Sequence, residues 1–180
     1  MPKVVNHEQR REELAAALWR LVMREGIEAA SLRRVAAEAG WSTGSLRHYF
    51  ETQSELLAFA MELVVERVSA RVAILDDPEL LLQQVLPLDA ERRAEMQVWL
   101  VFTMRALVDP RLRRLRDEAH DALRGLCRTA VELVGADHPE REAERLHALI
   151  DGLALHAVTA PAVTTTERQI ELLRAHLESL

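Results

Sequence analysis

Between Ser31 and Phe50 the chain reads SLRRVAAEAGWSTGSLRHYF, two short amphipathic segments broken by one glycine, and few packings satisfy it. Leu32, Val35, Ala36 and Ala39 recur at helical spacing behind Ser31, whose hydroxyl suits an N-cap. Gly40 follows the last of them, where a helix end wants left-handed backbone. Ser42 offers a second N-cap, and a helix of about two turns is expected after it, with Leu46 and Tyr49 facing inward. Ala36 falls at the expected crossing, where only a small side chain lets two helices approach. Trp41 and Leu46 can pack back onto Val35 and Ala39. The pattern is that of a helix-turn-helix, although the same spacing also suits an ordinary helical hairpin.

The polar run Ser42, Thr43, Gly44 and Ser45 opens the second helix with no core to fill. Small residues there let backbone and hydroxyls approach phosphates and base edges. Gly26, Ser31, Val35-Ala36, Ala39-Gly40, Ser42, Gly44, Leu46, Tyr49-Phe50 and Glu55-Leu56-Leu57 resemble, in order and spacing, the DNA-binding domain of TetR-family regulators over roughly the first third of the chain. The resemblance implies an all-α fold: a three-helix helix-turn-helix head over residues 1–52 and a helical ligand-binding and dimerisation body over residues 53–180. It implies that Ser31, Arg33, Ser42 and Tyr49 meet phosphates. Thr43, Ser45, Arg47 and His48 would meet base edges, with Gly44 admitting close approach and Arg47 suited to guanine. Two positions depart from the family pattern. Arg47 stands where an aromatic is usual, and Gln53 where a lysine usually meets a phosphate.

A net charge of −6 argues at first against a nucleic-acid partner, but its distribution matters more. Residues 1–50 hold eight Lys/Arg against six Glu, and residues 51–180 hold fifteen against twenty-three acidic groups. A mildly basic head on an acidic body binds DNA with one end and repels it with the other, with modest salt sensitivity. The sequence shows neither the long apolar run of a membrane span nor a signal peptide's apolar core, so a cytoplasmic location is expected. A single cysteine, Cys127, makes no internal disulfide.

Along the chain, Asn6-His7-Glu8-Gln9 reads as a capping box opening a helix through Leu14, Leu18 and Leu21 to Arg24. Lys3, the only lysine, stands on an N-terminal arm that could reach a minor groove or lie disordered. A long helix is expected from Thr52 to about Leu75. Asp77-Pro78, Asp89 and Asp109-Pro110 are further start signals. Met96 to Met104 is apolar on nearly every face and is expected to be enclosed on all sides.

Two helices close the chain, one from Arg141 to about Thr159 and one from Thr166. Leu146, Ile150, Leu153 and Ala157 form a stripe on the first, and Ile170, Leu173 and Leu177 on the second. Paired broad stripes suggest a homodimer through a four-helix bundle, or simply each chain's own core. Gly152, costly in mid-helix, suggests a close backbone crossing. Pro87 to Leu115 with Glu144 to Val158 is similar to the C-terminal domain of the BetI-like branch of the same family.

A small-molecule pocket is expected along Met96, Trp99, Phe102, Thr103, Met104 and Arg105, the last as a polar anchor, although each residue suits a core equally well. Glu144 with His147 forms one Glu-x-x-His pair, but a second is absent, so neither metal nor cofactor is expected. His156 reads as a core or pocket residue. No Gly-rich phosphate loop or nucleophile elbow is present, so the chain is not expected to be an enzyme. The expected function is a ligand-responsive repressor acting as a homodimer on a palindromic DNA operator. Its rivals are a helical cofactor- or small-molecule-binding protein without DNA activity and an interaction adaptor with a relic head.

Overall fold

A computed structural model of the chain describes residues 7–180, and these are helical and turn, without strands. The elements in order are α1 (His7–Glu25), a 3-10 turn (Ile27–Ala29), α2 (Leu32–Glu38), α3 (Thr43–Arg47), α4 (Gln53–Val72), α5 (Pro78–Gln83), α6 (Ala90–Val108), α7 (Pro110–Val134), α8 (Pro139–Thr159) and α9 (Thr166–Leu177). Asn6, Lys3 and the proposed arm lie outside the described residues.

Short polar side chains start these helices as their chemistry requires. Ser31, Ser42, Thr52, Asp77, Asp89, Asp109 and Thr165 each accept a hydrogen bond from a first-turn amide. Each such cap is typically worth about 1 kcal/mol. Two helices differ in length from expectation. The helix α4 ends at Val72 rather than near Leu75, and α3 has five residues, shorter than two turns. The chain leaves α3 through tight turns, with the amides of Tyr49 and Phe50 both donating to the carbonyl of Leu46.

The apolar core has two parts. One joins α1, α2 and α3 to the first half of α4 and to Val98, Phe102 and Ala106 of α6. The other lies among α5, α7, α8 and α9, and Trp99 packs against both. Packing therefore runs across residue 52 without a break. The guanidinium of Arg67 in α4 lies 3.7 Å over the ring of Trp19 in α1, tying the two helices where they pass. One turn further along α4, Arg71 makes two hydrogen bonds to the buried Glu95 of α6, at 2.8 and 2.6 Å. Removing one partner of a buried pair typically costs about 3–5 kcal/mol, because the other charge is left desolvated.

Asp109 ties the same helix down at its head end. This buried carboxylate caps α7, and its pKa is held well below the usual carboxylate range by hydrogen bonds from Arg111 and from Ser54 in the first turn of α4. The last turns of α6 are not enclosed: Met104 is 65% exposed and Val108 72%. The apolar run at the end of α6 outlasts the helices available to cover it.

Candidate nucleic-acid interface and body cavity

The corner between α2 and α3 is built by backbone hydrogen bonds. The amide of Gly40 donates to the carbonyl of Ala37 at 3.1 Å and that of Trp41 to Ala36 at 2.8 Å, a Schellman closure with Gly40 at φ +71°. A side chain at Gly40 would be strained by that backbone angle. Ala36 and Leu46 are buried where the helices cross. Trp41 and Tyr49 brace the far side, ring centroids 5.5 Å apart, and Arg10 of α1 lies 4.6 Å over the Trp41 ring.

This bracing leaves the front of α3 open. Ser42, Thr43, Gly44, Arg47 and His48 are exposed, and Ser45 and Tyr49 are half-buried. The Ser42 hydroxyl accepts from the Ser45 amide at 3.0 Å and also bonds the Ser45 hydroxyl at 2.9 Å. On the neighbouring helix Arg33 is exposed and Ser31 caps the helix start. Arg33 and Arg47 are not paired with a carboxylate among the described residues, whereas Arg34 is tied to Glu25, and Arg20 and Arg24 to Glu38. Gln53 donates its side-chain amide to the carbonyl of Ala30, so it serves the fold where the resemblance suggested a phosphate contact.

A cavity of about 340 Å³ opens in the body between α4, α6, α7 and α8. Met96 and Trp99 line it, as expected from the sequence. Phe102 instead fills the core shared with the head, Thr103 is absent from the lining, and Met104 and Arg105 border a separate crevice against the 3-10 turn and Gln53. The helical period explains the difference. Arg92, Glu95, Met96 and Trp99 line the cavity from one face of α6; Thr103 continues that face a turn beyond it, and Met104 and Arg105 turn away from it. The walls that sequence reading missed are Val64, Val65, Val68 and Val72 of α4 and Ala119, Ala122 and Leu126 of α7. Their signal was present, because the α4 valines recur at three-four spacing and α7 places alanines where bulk would close the space.

The stripes expected to form a dimer face inward. Leu146, Ile150, Leu153, Ala157, Leu173 and Leu177 are buried in their own chain's core, and Ile170 is half-buried. Among the described residues of the same chain no second backbone crosses at Gly152, since an added Cβ would meet nothing within 4 Å. His156 is exposed rather than in the core, and Leu155 beside it is 41% exposed. Ala148, Gly152, Leu155 and His156 thus form an outward face on α8.

Among the described residues no group of three or more His, Cys, Asp or Glu is placed to hold a metal. Glu144 and His147 diverge, with His147 buried and Glu144 reaching Arg124 at 3.7 Å. Cys127 is buried, and burial pushes its thiol up to about 12, which makes it an unreactive packing residue. No described helix is long and apolar enough to cross a membrane.

Comparison with known proteins agrees with this arrangement. Residues 14–60 match the bacterial regulatory proteins of the tetR family, and residues 76–180 match the C-terminal domain of the BetI-type transcriptional repressor. The chain is 40% identical over 196 aligned residues to the HTH-type transcriptional regulator PksA of Bacillus subtilis (strain 168), covering 100% of this chain and 94% of that protein. Its fold is similar to a transcriptional regulator from Rhodococcus sp. Rha1, with TM-score 0.81 and 34% identity over 94% of each chain. It is also similar to the multidrug binding protein EbrR complexed with ethidium, with TM-score 0.69 and 26% identity over 93% of this chain and 98% of that one. A braced, polar-fronted α3 at one end and a BetI-type helical body at the other make this chain a member of the TetR family of bacterial transcriptional regulators, and not an enzyme.

Proposed function

We propose that two copies of this chain pair through the outward faces of α8 and α9 and present their α3 helices to successive major grooves of a pseudo-palindromic operator, with residues 1–52 as the DNA-binding head and 53–180 as the ligand-binding and dimerisation body. The exposed polar front of α3, held by the Gly40 closure, carries this reading. The two heads must then sit about 34–36 Å apart on one side of the duplex. Thr43, Ser45, Arg47 and His48 read base edges; Ser31, Arg33, Ser42 and Tyr49 hold phosphates. Such a protein works in the cytoplasm, beside the chromosome.

The cavity supplies the switch. Its walls include α4, the helix that leads from the head, so an occupant preferring one tilt of α4 changes the spacing of the heads. It shifts the equilibrium only by its difference in affinity for the two states, typically about 1–3 kcal/mol. EbrR, a structural relative, takes up ethidium, which supports a small-molecule effector here.

Fragments of the source genome selected on the purified protein test the reading by yielding a common inverted repeat. Arg47→Ala on that site is expected to cost about 1–3 kcal/mol, the worth of a bidentate base contact, with far less loss on random DNA. Equal losses on both would remove Arg47 from the base-reading set, and failure to select any sequence would remove the operator.

A further inference from the structure

We propose that the corner between α6 and α7 is a second DNA contact of this chain, where Arg105 and Arg113 of the body hold backbone phosphates beside those held by the head. The inference rests on the reading that the head binds DNA. The charges left free at this corner carry it.

The body is acidic as a whole but not at this point. Residues 105–116, RALVDPRLRRLR, hold five arginines and one carboxylate, leaving ten basic against twenty-two acidic groups in the rest of residues 51–180. Three of the five are occupied. Arg111 is bound to Asp109, Arg114 to Glu118 and Arg116 to Asp117. Arg105 and Arg113 are exposed and pair with nothing among the described residues, not even with Glu28, which lines the crevice beside Arg105. Elsewhere almost every arginine has a carboxylate, a carbonyl or an aromatic ring. Among the described residues just four have none, and the other two are Arg33 and Arg47 on α2 and α3. A free guanidinium is available to an incoming phosphate at once, whereas a paired one must first give up its carboxylate.

Packing places the corner level with the head. The Asp109 carboxylate at the turn accepts a hydrogen bond from Ser54 in the first turn of α4. Arg105 and Arg113 stand four residues before and after Asp109, about one helical turn to either side. Arg105 also lines the crevice that Gln53 and the 3-10 turn share with the end of α6. Gln53 bonds the carbonyl of Ala30, and the next residue is Ser31, one of the proposed phosphate contacts. Arg105 thus lies across a single crevice from the start of α2, with Arg113 on the helix that follows. A duplex seated on α3 carries one negative charge about every 1.7 Å of its axis, and its backbone runs on past the head. A carboxylate-rich surface at that place would repel it; this one supplies two cations.

Mobility-shift titration of the full-length protein across a salt series tests this, on the selected site and on random duplex. Arg105→Gln with Arg113→Gln should flatten the slope of log K against log salt by about two per protomer on both DNAs, since phosphate contacts carry no sequence. Arg141→Gln, a charge change in the first turn of α8 at the opposite end of α7, should leave the slope unchanged. Phosphate ethylation interference on the selected site should show positions that matter to the wild-type protein and not to the double variant, separate from those lost in Arg33→Gln. A thermal melt checks that each variant folds. An unchanged slope in the folded double variant, an equal flattening per charge in Arg141→Gln, or loss of the same phosphates as in Arg33→Gln would overturn the corner as a contact and leave the head's reading standing. A wild-type protein that shifts neither DNA would overturn both.

Discussion

The side-chain amide of Gln53, at the first residue of α4, donates to the main-chain carbonyl of Ala30 at the end of the 3-10 turn. That bond spans 23 residues and fastens the helix leading into the body to the last turn before the helix-turn-helix. It also gives a role to a position where the family resemblance places a phosphate-binding lysine.

A neutral glutamine releases no counterion, so Gln53→Met should leave the salt dependence of operator binding unchanged while costing about 1 kcal/mol of stability. Gln53→Lys should steepen the slope of log K against log salt by about one unit per protomer, as one more phosphate is neutralised. Mobility-shift titrations across a salt series measure both. A loss of operator affinity in Gln53→Met at every salt concentration, with the melting temperature unchanged, would show that the amide acts on the DNA and not within the head.

Local chemistry made the helix starts readable. Ser31, Ser42, Asp77, Asp89 and Asp109 were identified as caps or start signals from sequence alone, because a cap needs only its own helix's amide. The helix-turn-helix was legible for the same reason, its glycine, alanine and leucine positions all acting within twenty residues. The cavity was half legible. Met96 and Trp99 line it, but which face of α6 opens inward depends on α4 and α7, and nothing local fixes that register. The stripes on α8 and α9 are legible as apolar, but of the two neighbours open to them, a second copy or their own core, the sequence does not choose, since periodicity reports that a face is buried without reporting against what.

That distinction sets the interface variants. Leu173 is wholly buried inside its own chain, so Leu173→Asp should unfold the protein and say nothing about pairing. Gly152 lies on the outer face of α8 with open space above it. Gly152→Glu should preserve the melting transition of the single chain and convert the dimer to monomer, with loss of operator binding. Light scattering coupled to size exclusion measures this. A Gly152→Glu protein that stays dimeric would move the pairing surface elsewhere.

Acid should destabilise the protein in two separate stages. His147 and His176 each carry a buried Nε2 without a hydrogen-bond partner, and burial pushes both pKa values below the ordinary 6.5. Around His147, Asp151 opposes that shift while His120 and Arg124 add to it; around His176, Glu142 opposes and Arg145 adds. The unfolded chain therefore takes up protons at these sites before the folded chain does, and stability falls as pH drops through the ordinary value. The carboxylates act later. Hydrogen bonds from Arg141 and Arg145 hold Glu142 below its ordinary 4.5, so its contribution is intact above that pH and is lost as pH falls toward the folded value. The window between the two stages belongs to the histidines. Replacing both, His147→Gln with His176→Gln, should flatten the fall in melting temperature between about pH 7.5 and 5 and leave the steeper loss below about pH 4 in place. An unchanged first stage in that double variant would assign the proton uptake to other groups.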